Sequence, residues 1–347
     1  MLGYRFLLWS ELCRNRASYV FRCVASVTYF FIKGEETMKK KVILFLMLAV
    51  IAVSLTSCKS GDYNEAVKLQ EAGDYQAALE LYESIEDYEN YKDTAERVDE
   101  CKAMIEAIKA FDSAKSSAEQ KNSELDTAIS EAEALVTEGK PALDETLIPT
   151  LETAISEAKS AKQTVMEMPA TEDEIVAASQ QLDSLDYGSV LSNLSEKKSA
   201  LEKSIKQYAL VDAPTEAYII ECLKKVQNIV DISAVTEDND PNGNLNKTGG
   251  YTAQVYFSSD LVNQSEVYGT SVIEKGTDAG GSIEVYANVE DATTRNEYLA
   301  GFDGSILASG SHVVIGTVVV RTSNELTASQ QQTLEANIIA ALTEVVE

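Results

Sequence analysis

One histidine, His312, and one tryptophan, Trp9, are all that the chain contains of those two residue types. A single histidine and scattered cysteines cannot supply the usual ligand set of a zinc site. No G-x-S-x-G elbow is present, and Gly276–Gly281 lacks the Gly-Lys-Ser/Thr ending of a phosphate-binding loop. A serine hydrolase needs a base beside its nucleophile. Ser309, Ser311 and Asp303 stand near His312 in sequence, but a lone histidine at a strand entrance reads as structural. Positive charge is scarce as well: 29 basic against 56 acidic side chains leave a net charge of −27. Such a balance repels nucleic acid and anionic head groups. Long apolar runs are missing too. Val42–Val53 is free of charge but shorter than the roughly 20 residues that cross a bilayer.

That short run is nonetheless informative. Lys39, Lys40 and Lys41 precede it and small residues follow it, which is the layout of a secretory signal beginning at Met38. Leu55-Thr56-Ser57-Cys58 resembles the lipobox of bacterial lipoproteins. The resemblance implies a diacylglyceryl thioether on Cys58, cleavage before it and acylation of the new amino terminus. The alternative is an ordinary signal peptide that happens to end at a cysteine. Export signals are read from the N-terminus, so residues 1–37 are expected to be an upstream extension that is not translated. The purine-rich codons of Gly34-Glu35-Glu36 suit a ribosome-binding site before Met38. Residues 1–58 hold eight basic and three acidic side chains. The chain from Cys58 onward therefore carries 21 basic against 53 acidic ones, a net −32. Its remaining cysteines, Cys101 and Cys222, form no disulfide framework. They read as two buried thiols, with a bridge as the other option.

Residues 58–101 read as a helical hairpin. Ala66, Leu69 and Ala72 make one helical face, Gly73-Asp74 breaks it, and Ala78, Tyr82 and Ile85 make a second. A third helix is expected around Tyr91–Cys101. Gly73-Asp74-Tyr75-x-x-Ala78-x-x-x-Tyr82 resembles a tetratricopeptide repeat. Only one copy is present, where solenoids use about three to bury a core. A cap on the following segment is favoured over a peptide groove.

Residues 102–209 are rich in Ala, Glu, Ser and Lys. Leu125, Ile129, Ala132 and Leu135 follow helical spacing, as do Leu147, Leu151, Ala154, Ile155 and Ala158. Thr171-Glu172-Asp173-Glu174 is a capping box for a helix with Ile175, Ala178, Leu182 and Leu185 inward. Three such helices predict a small antiparallel bundle, with Leu191–Tyr208 leading out of it. The paired "AISEA" helices, the "ATEDEI" start and the "AxxxLxxL" ending resemble the FIVAR module of Gram-positive surface proteins, over residues about 121–186. That resemblance implies a cell-wall-associated spacer, with sugar or matrix binding proposed for such modules. No aromatic platform for a sugar is evident, Tyr187 being the nearest candidate.

Residues 210–347 change in composition toward glycine, valine, isoleucine and tyrosine. Pro214 opens a helix carrying Ile219, Leu223 and Val226. Strands are predicted over Ile232–Thr236, Tyr251–Ser258 and Ser282–Val289, the last with Glu284 on its outward side. Asp291–Gly301 predicts a helix with Tyr298 and Leu299 inward. His312–Val320, nearly all apolar, predicts one central strand covered on both faces. Thr327 to Gln330 is a capping box opening a final helix with Leu334, Ile338, Ile339 and Leu342. The expected class is therefore multi-domain: an all-α N-terminal part, then an α+β domain with one sheet covered by helices. TEDNDPNGNLNKTGGYTAQVYFSSDL and IEVYANVEDATTRNEYLAGFDG resemble segments of uncharacterised lipoproteins of clostridial type. No activity comes with that resemblance.

Asp238-x-Asp240-x-Asn242-Gly243-Asn244 imitates the start of a calcium loop, with alternating oxygens and a glycine for the sharp turn. Pro241 and a glycine, Gly249, at the twelfth position argue instead for an acidic Asx-rich hairpin. Tyr251, Tyr256, Tyr268 and Tyr286 either line a contact surface or are ordinary strand tyrosines. No other cofactor is expected. The sequence predicts a lipid-anchored, extracytoplasmic, non-catalytic protein, with cell-wall glycan or a protein as partner. The alternatives are a self-associating envelope protein and a wall hydrolase using Asp238, Asp240 and His312.

Overall fold

The computed structural model describes residues 59–305 and 310–346. The signal, Cys58 and Ser309 lie outside those residues. Two compact units divide the described chain: residues 59–112 with Met168–Ala177, and Ser113–Glu167 with residues 178–346.

In the first unit, α1 (Lys59–Glu71) and α2 (Tyr75–Glu83) form a hairpin. Gly73 takes a left-handed turn at φ 83°, and the Asp74 carboxylate accepts from the Ala77 N–H to cap α2. Ala66 and Ala78 are fully buried, so the two backbones approach closely and Tyr82 fills the space beside them. The Tyr82 hydroxyl donates to Gln70 at 2.9 Å, and Arg97 donates to the same oxygen at 3.1 Å. Cys101 is a buried free thiol, and so is Cys222 in the second unit. The helix expected around Tyr91–Cys101 is instead the start of α3 (Thr94–Thr137), a helix of 44 residues. The 101/102 position falls within it.

The second unit opens with the later part of α3, α4 (Leu147–Ala161), the end of α5 (Glu172–Asp183), whose first residues belong to the first unit, and α6 (Gly188–Leu210). Its helical core holds Leu125, Ile129, Leu151, Ile155, Leu194 and Leu201. The third helix of this core is α6, where the pattern pointed to α5. The reason is visible in the spacing: Tyr187, Leu194 and Leu201 recur every seven residues and are all buried, giving α6 the longer apolar stripe. Tyr187 is no sugar platform. Its hydroxyl accepts from the Gln163 N–H at 2.9 Å and donates to Asn122 at 2.7 Å, while Asn122 donates to the Gln163 carbonyl. Tyr187→Phe would leave the buried Asn122 amide oxygen and the part-buried Gln163 N–H without this partner. We expect it to cost about 1–3 kcal/mol in urea unfolding.

The sheet follows α7 (Glu216–Leu223). Its strands are β1 (Ile229–Ala234), β2 (Ala253–Ser259), β3 (Gly280–Val285), β4 (His312–Ile315) and β5 (Val318–Thr322), in spatial order β1-β2-β3-β5-β4, every pair antiparallel. Between β2 and β3 lies the short α8 (Val272–Lys275), between β3 and β4 lies α9 (Val289–Ala300), and α10 (Ala328–Leu342) follows β5. One face of the sheet is apolar. Val255, Phe257, Ile283, Val285, Val318 and Val320 pack there with Ile219 and Leu223 of α7 and Leu334, Ile338 and Leu342 of α10. Phe257 lies opposite Gly281, where a Cβ would come within 2.4 Å of its ring. The bulk of Phe257 therefore requires that glycine.

Three local expectations change. His312–Val320 forms a hairpin, with β4 at the edge and β5 inside, because Gly316 adopts φ 57° and turns the chain. Thr317 then donates through N–H (2.9 Å) and hydroxyl (3.1 Å) to the Val211 carbonyl just after α6, and its hydroxyl accepts from Ala213 N–H at 2.7 Å. β3 is buried on both faces, not on one. Tyr298 is 59% exposed on the outer flank of α9, under the Arg295 guanidinium, whereas Leu299 is buried as expected.

Candidate functional site

The second face of the sheet gathers most of the chemically capable side chains. Alternation places Gln254 and Tyr256 of β2, Ser282 and Glu284 of β3, Arg321 of β5 and His312 of β4 on this side. Against it, α9 brings Ala292, Arg295, Asn296 and Leu299, and the β1–β2 loop brings Leu245 and Tyr251.

Glu284 is the centre, fully buried. Its Oε1 accepts from Arg321 Nη1 at 2.9 Å and Arg295 Nη2 at 3.1 Å. Its Oε2 accepts from Arg295 Nε and from the Tyr286 hydroxyl, both at 2.8 Å. Burial by itself pushes such a carboxyl up strongly. The bonds from Arg295, the charges of both arginines and the Tyr286 hydroxyl together outweigh it and hold Glu284 below the usual carboxylate range. The same burial raises the phenols of Tyr286 and Tyr256. Beside this network, Ser282 Oγ and Gln254 Oε1 are buried with no hydrogen-bond partner among the described residues. Each such group costs about 1–3 kcal/mol that an apolar face would avoid. Alternation alone marked Glu284 as outward. The signal that could have corrected it is Arg321, the one charge in an otherwise apolar strand.

Asp240 organises the loop that covers the neighbouring part of this face. Its Oδ1 accepts from the Asn242 N–H at 2.9 Å and from the Tyr251 hydroxyl. Its Oδ2 accepts from Asn244 N–H at 2.6 Å and Leu245 N–H at 2.7 Å. Burial pushes this carboxyl up, but the Tyr251 hydroxyl and three backbone N–H groups hold it net below its ordinary value. Asp238, Asn242 and Asn244 are exposed. Among the described residues, no group of three or more His, Cys, Asp or Glu side chains is placed to hold a metal ion. Tyr251, Tyr256 and Tyr286 are buried strand or loop tyrosines, while Tyr268 is 95% exposed and stands apart from them in burial.

His312 is held at both ring nitrogens, Nδ1 with Asn296 Oδ1 at 2.7 Å and Nε2 with Asp303 Oδ1 at 3.3 Å. Ser311 bonds Glu335 at 2.8 Å and Thr322 at 2.7 Å. The structure thus brings His312 to Asp303 but seats the Ser311 hydroxyl on other partners.

The depressed carboxyls make a pH prediction. A group whose folded pKa lies below its unfolded value stabilises the fold above that unfolded value, near pH 4 for Asp and Glu. That contribution disappears as pH falls through the lower, folded value. Relief of self-repulsion in so acidic a chain acts in the opposite direction, so the readout is a difference. The stability gap between wild type and Asp240→Asn should be constant near neutrality and close below about pH 4. Urea midpoints measured along a pH series check it.

Comparison with known proteins finds no match: no family model, no curated protein and no solved structure aligns with the chain.

Proposed function

We propose that the chain is a lipid-anchored, extracytoplasmic binding protein of the cell surface, held by a lipid on Cys58 and meeting its partner through the C-terminal α+β domain. The anchor rests on the signal Met38–Cys58 and its lipobox-like end. The observation that carries the binding role, in place of catalysis, is that the sheet's polar face has its reactive groups already committed. Glu284 spends both oxygens on two arginines and a tyrosine, Asp240 spends both on its own loop, and His312 bridges an amide and a carboxylate. A carboxylate whose oxygens already accept from several protein donors is poorly placed to take a proton from a substrate. The net charge of −32 carried by the chain from Cys58 onward keeps it soluble at a surface and unsuited to nucleic acid. The tetratricopeptide-like hairpin segment 58–101 and the FIVAR-like helical segment 102–209 serve as spacer.

Co-sedimentation of residues 59–347 with purified peptidoglycan sacculi tests the reading, run with calcium and with chelator. Binding in both conditions is expected, since Asp240 is already saturated by protein donors. Binding that requires calcium would return the Asp238–Asn244 loop to the role of a cation site. Absence of binding would reject the cell wall as partner, and light scattering would then tell self-association from a protein partner.

A further inference from the structure

The second unit carries a groove of about 680 Å³ that none of the chemistry above uses. That volume lies in the range that takes a small molecule or a few residues of peptide. Three elements frame it: α6, the turn after α7, and the end of α10. We infer that this groove binds a short extended peptide bearing a carboxylate, and that Lys203 holds the carboxylate.

The lining has the matching chemistry. Lys203 of α6 and Lys225 of the turn place two ammonium groups on one groove in a chain where acids outnumber bases almost two to one. Lys225 is committed to Glu344 at 2.7 Å. Among the described residues, Lys203 has no carboxylate within salt-bridge distance, so its charge is available to a ligand. Gln207, Gln227 and Asn337 add three side-chain amides. Each offers a donor and an acceptor, the same pair that a peptide unit presents. Ala340, exposed on α10, leaves the wall low enough for a backbone to lie against. No aromatic ring lines the groove, which disfavours a stacked sugar.

This inference rests on the binding-protein reading and adds the face and the ligand chemistry. The test is fluorescence anisotropy at 150 mM salt with residues 59–347, so that remote charges are screened. The probe is Ala-Glu-Ala-Ala with a free C-terminal carboxylate, labelled, like its control, at the amino end with an uncharged nitrobenzoxadiazole dye. The control probe is the amidated Ala-Gln-Ala-Ala. The carboxylate probe should bind saturably, and the neutral one about tenfold more weakly or less. Lys203→Glu should weaken the carboxylate probe about tenfold, while Lys206→Glu, on the same helix outside the groove, should change it by less than about twofold. Ala340→Trp, at an exposed position, fills the groove without disturbing the core and should abolish binding. No saturation up to about 1 mM probe, or equal binding by Lys203→Glu or Ala340→Trp, overturns the assignment. Sacculus binding that survives Ala340→Trp would reject the groove and leave the surface-binding reading standing. Lys203-dependent peptide binding without sacculus binding would keep the groove and reject the wall.

Discussion

Glu284→Ala is expected to lower the unfolding free energy by about 3–5 kcal/mol. The magnitude follows from what remains. Arg321 and Arg295 would keep their positive charges, on a face where the Arg321 side chain is only 9% exposed, after losing the carboxylate that both of them bond. The Tyr286 hydroxyl would lose its acceptor as well. Breaking one side of a buried ion network is far more damaging than exchanging the whole network for apolar residues. Glu284→Gln keeps the volume and one acceptor but removes the charge, so it should fall between Ala and wild type. A triple change of Glu284, Arg295 and Arg321 to Met should recover most of the loss. Urea denaturation followed by far-UV circular dichroism checks the series. A cost below about 1 kcal/mol for Glu284→Ala, the range of exposed pairs, would mean that the network is solvated in practice.

Gly316→Ala should cost about 2–5 kcal/mol, from two separable sources. A left-handed backbone at φ 57° costs an L-residue about 1–2 kcal/mol. A Cβ there would also lie 2.5 Å from the Val211 carbonyl oxygen. That atom is backbone and already receives two bonds from Thr317, so it cannot swing aside. Overpacking of this kind adds about 1–3 kcal/mol. Gly139→Ala is the control: φ is 59° there too, but the nearest atom to the new Cβ is at an ordinary 3.9 Å. It should show the backbone cost alone. Equal losses in the two variants would remove the collision from the explanation.

Gly316 also marks the limit of what periodicity could tell. His-Val-Val-Ile-Gly-Thr-Val-Val-Val reads as one buried strand, because β-branched residues run on both sides of the glycine. What divides it is the left-handed turn at Gly316, which a contact with Val211, over a hundred residues earlier in the chain, holds in place, and the glycine is its trace in the local pattern. Helix boundaries were more legible, since their determinants are local. The Thr327–Gln330 capping box is formed on both sides, and α9, capped by Asn288, begins two residues before the predicted start. The Ala66, Ala78 and Tyr82 faces of the hairpin were likewise readable from spacing alone.

The polar face was the least legible part. Period-two alternation assigns Glu284 and Tyr286 to solvent, and only the cover provided by α9 and the Asp240 loop reverses this. An acidic residue in a strand is ordinarily an outward one. Its burial becomes affordable where two arginines arrive from other elements. The Asp and Asn run at Asp238–Asn244 was conspicuous in sequence, but the capture of three backbone N–H groups by Asp240 depends on the loop's closure.

The central claim, a protein held at the cell surface by Cys58, is tested most directly by partition. Full-length wild type and Cys58→Ala would be expressed in a Gram-positive host, fractionated and extracted with Triton X-114. Wild type should enter the membrane fraction and the detergent phase, with a mass showing cleavage before Cys58 and an added diacylglyceryl group. Cys58→Ala should lose both the lipid mass and the detergent partition. Identical partition of the two proteins, or a wild-type mass without lipid, would contradict the account.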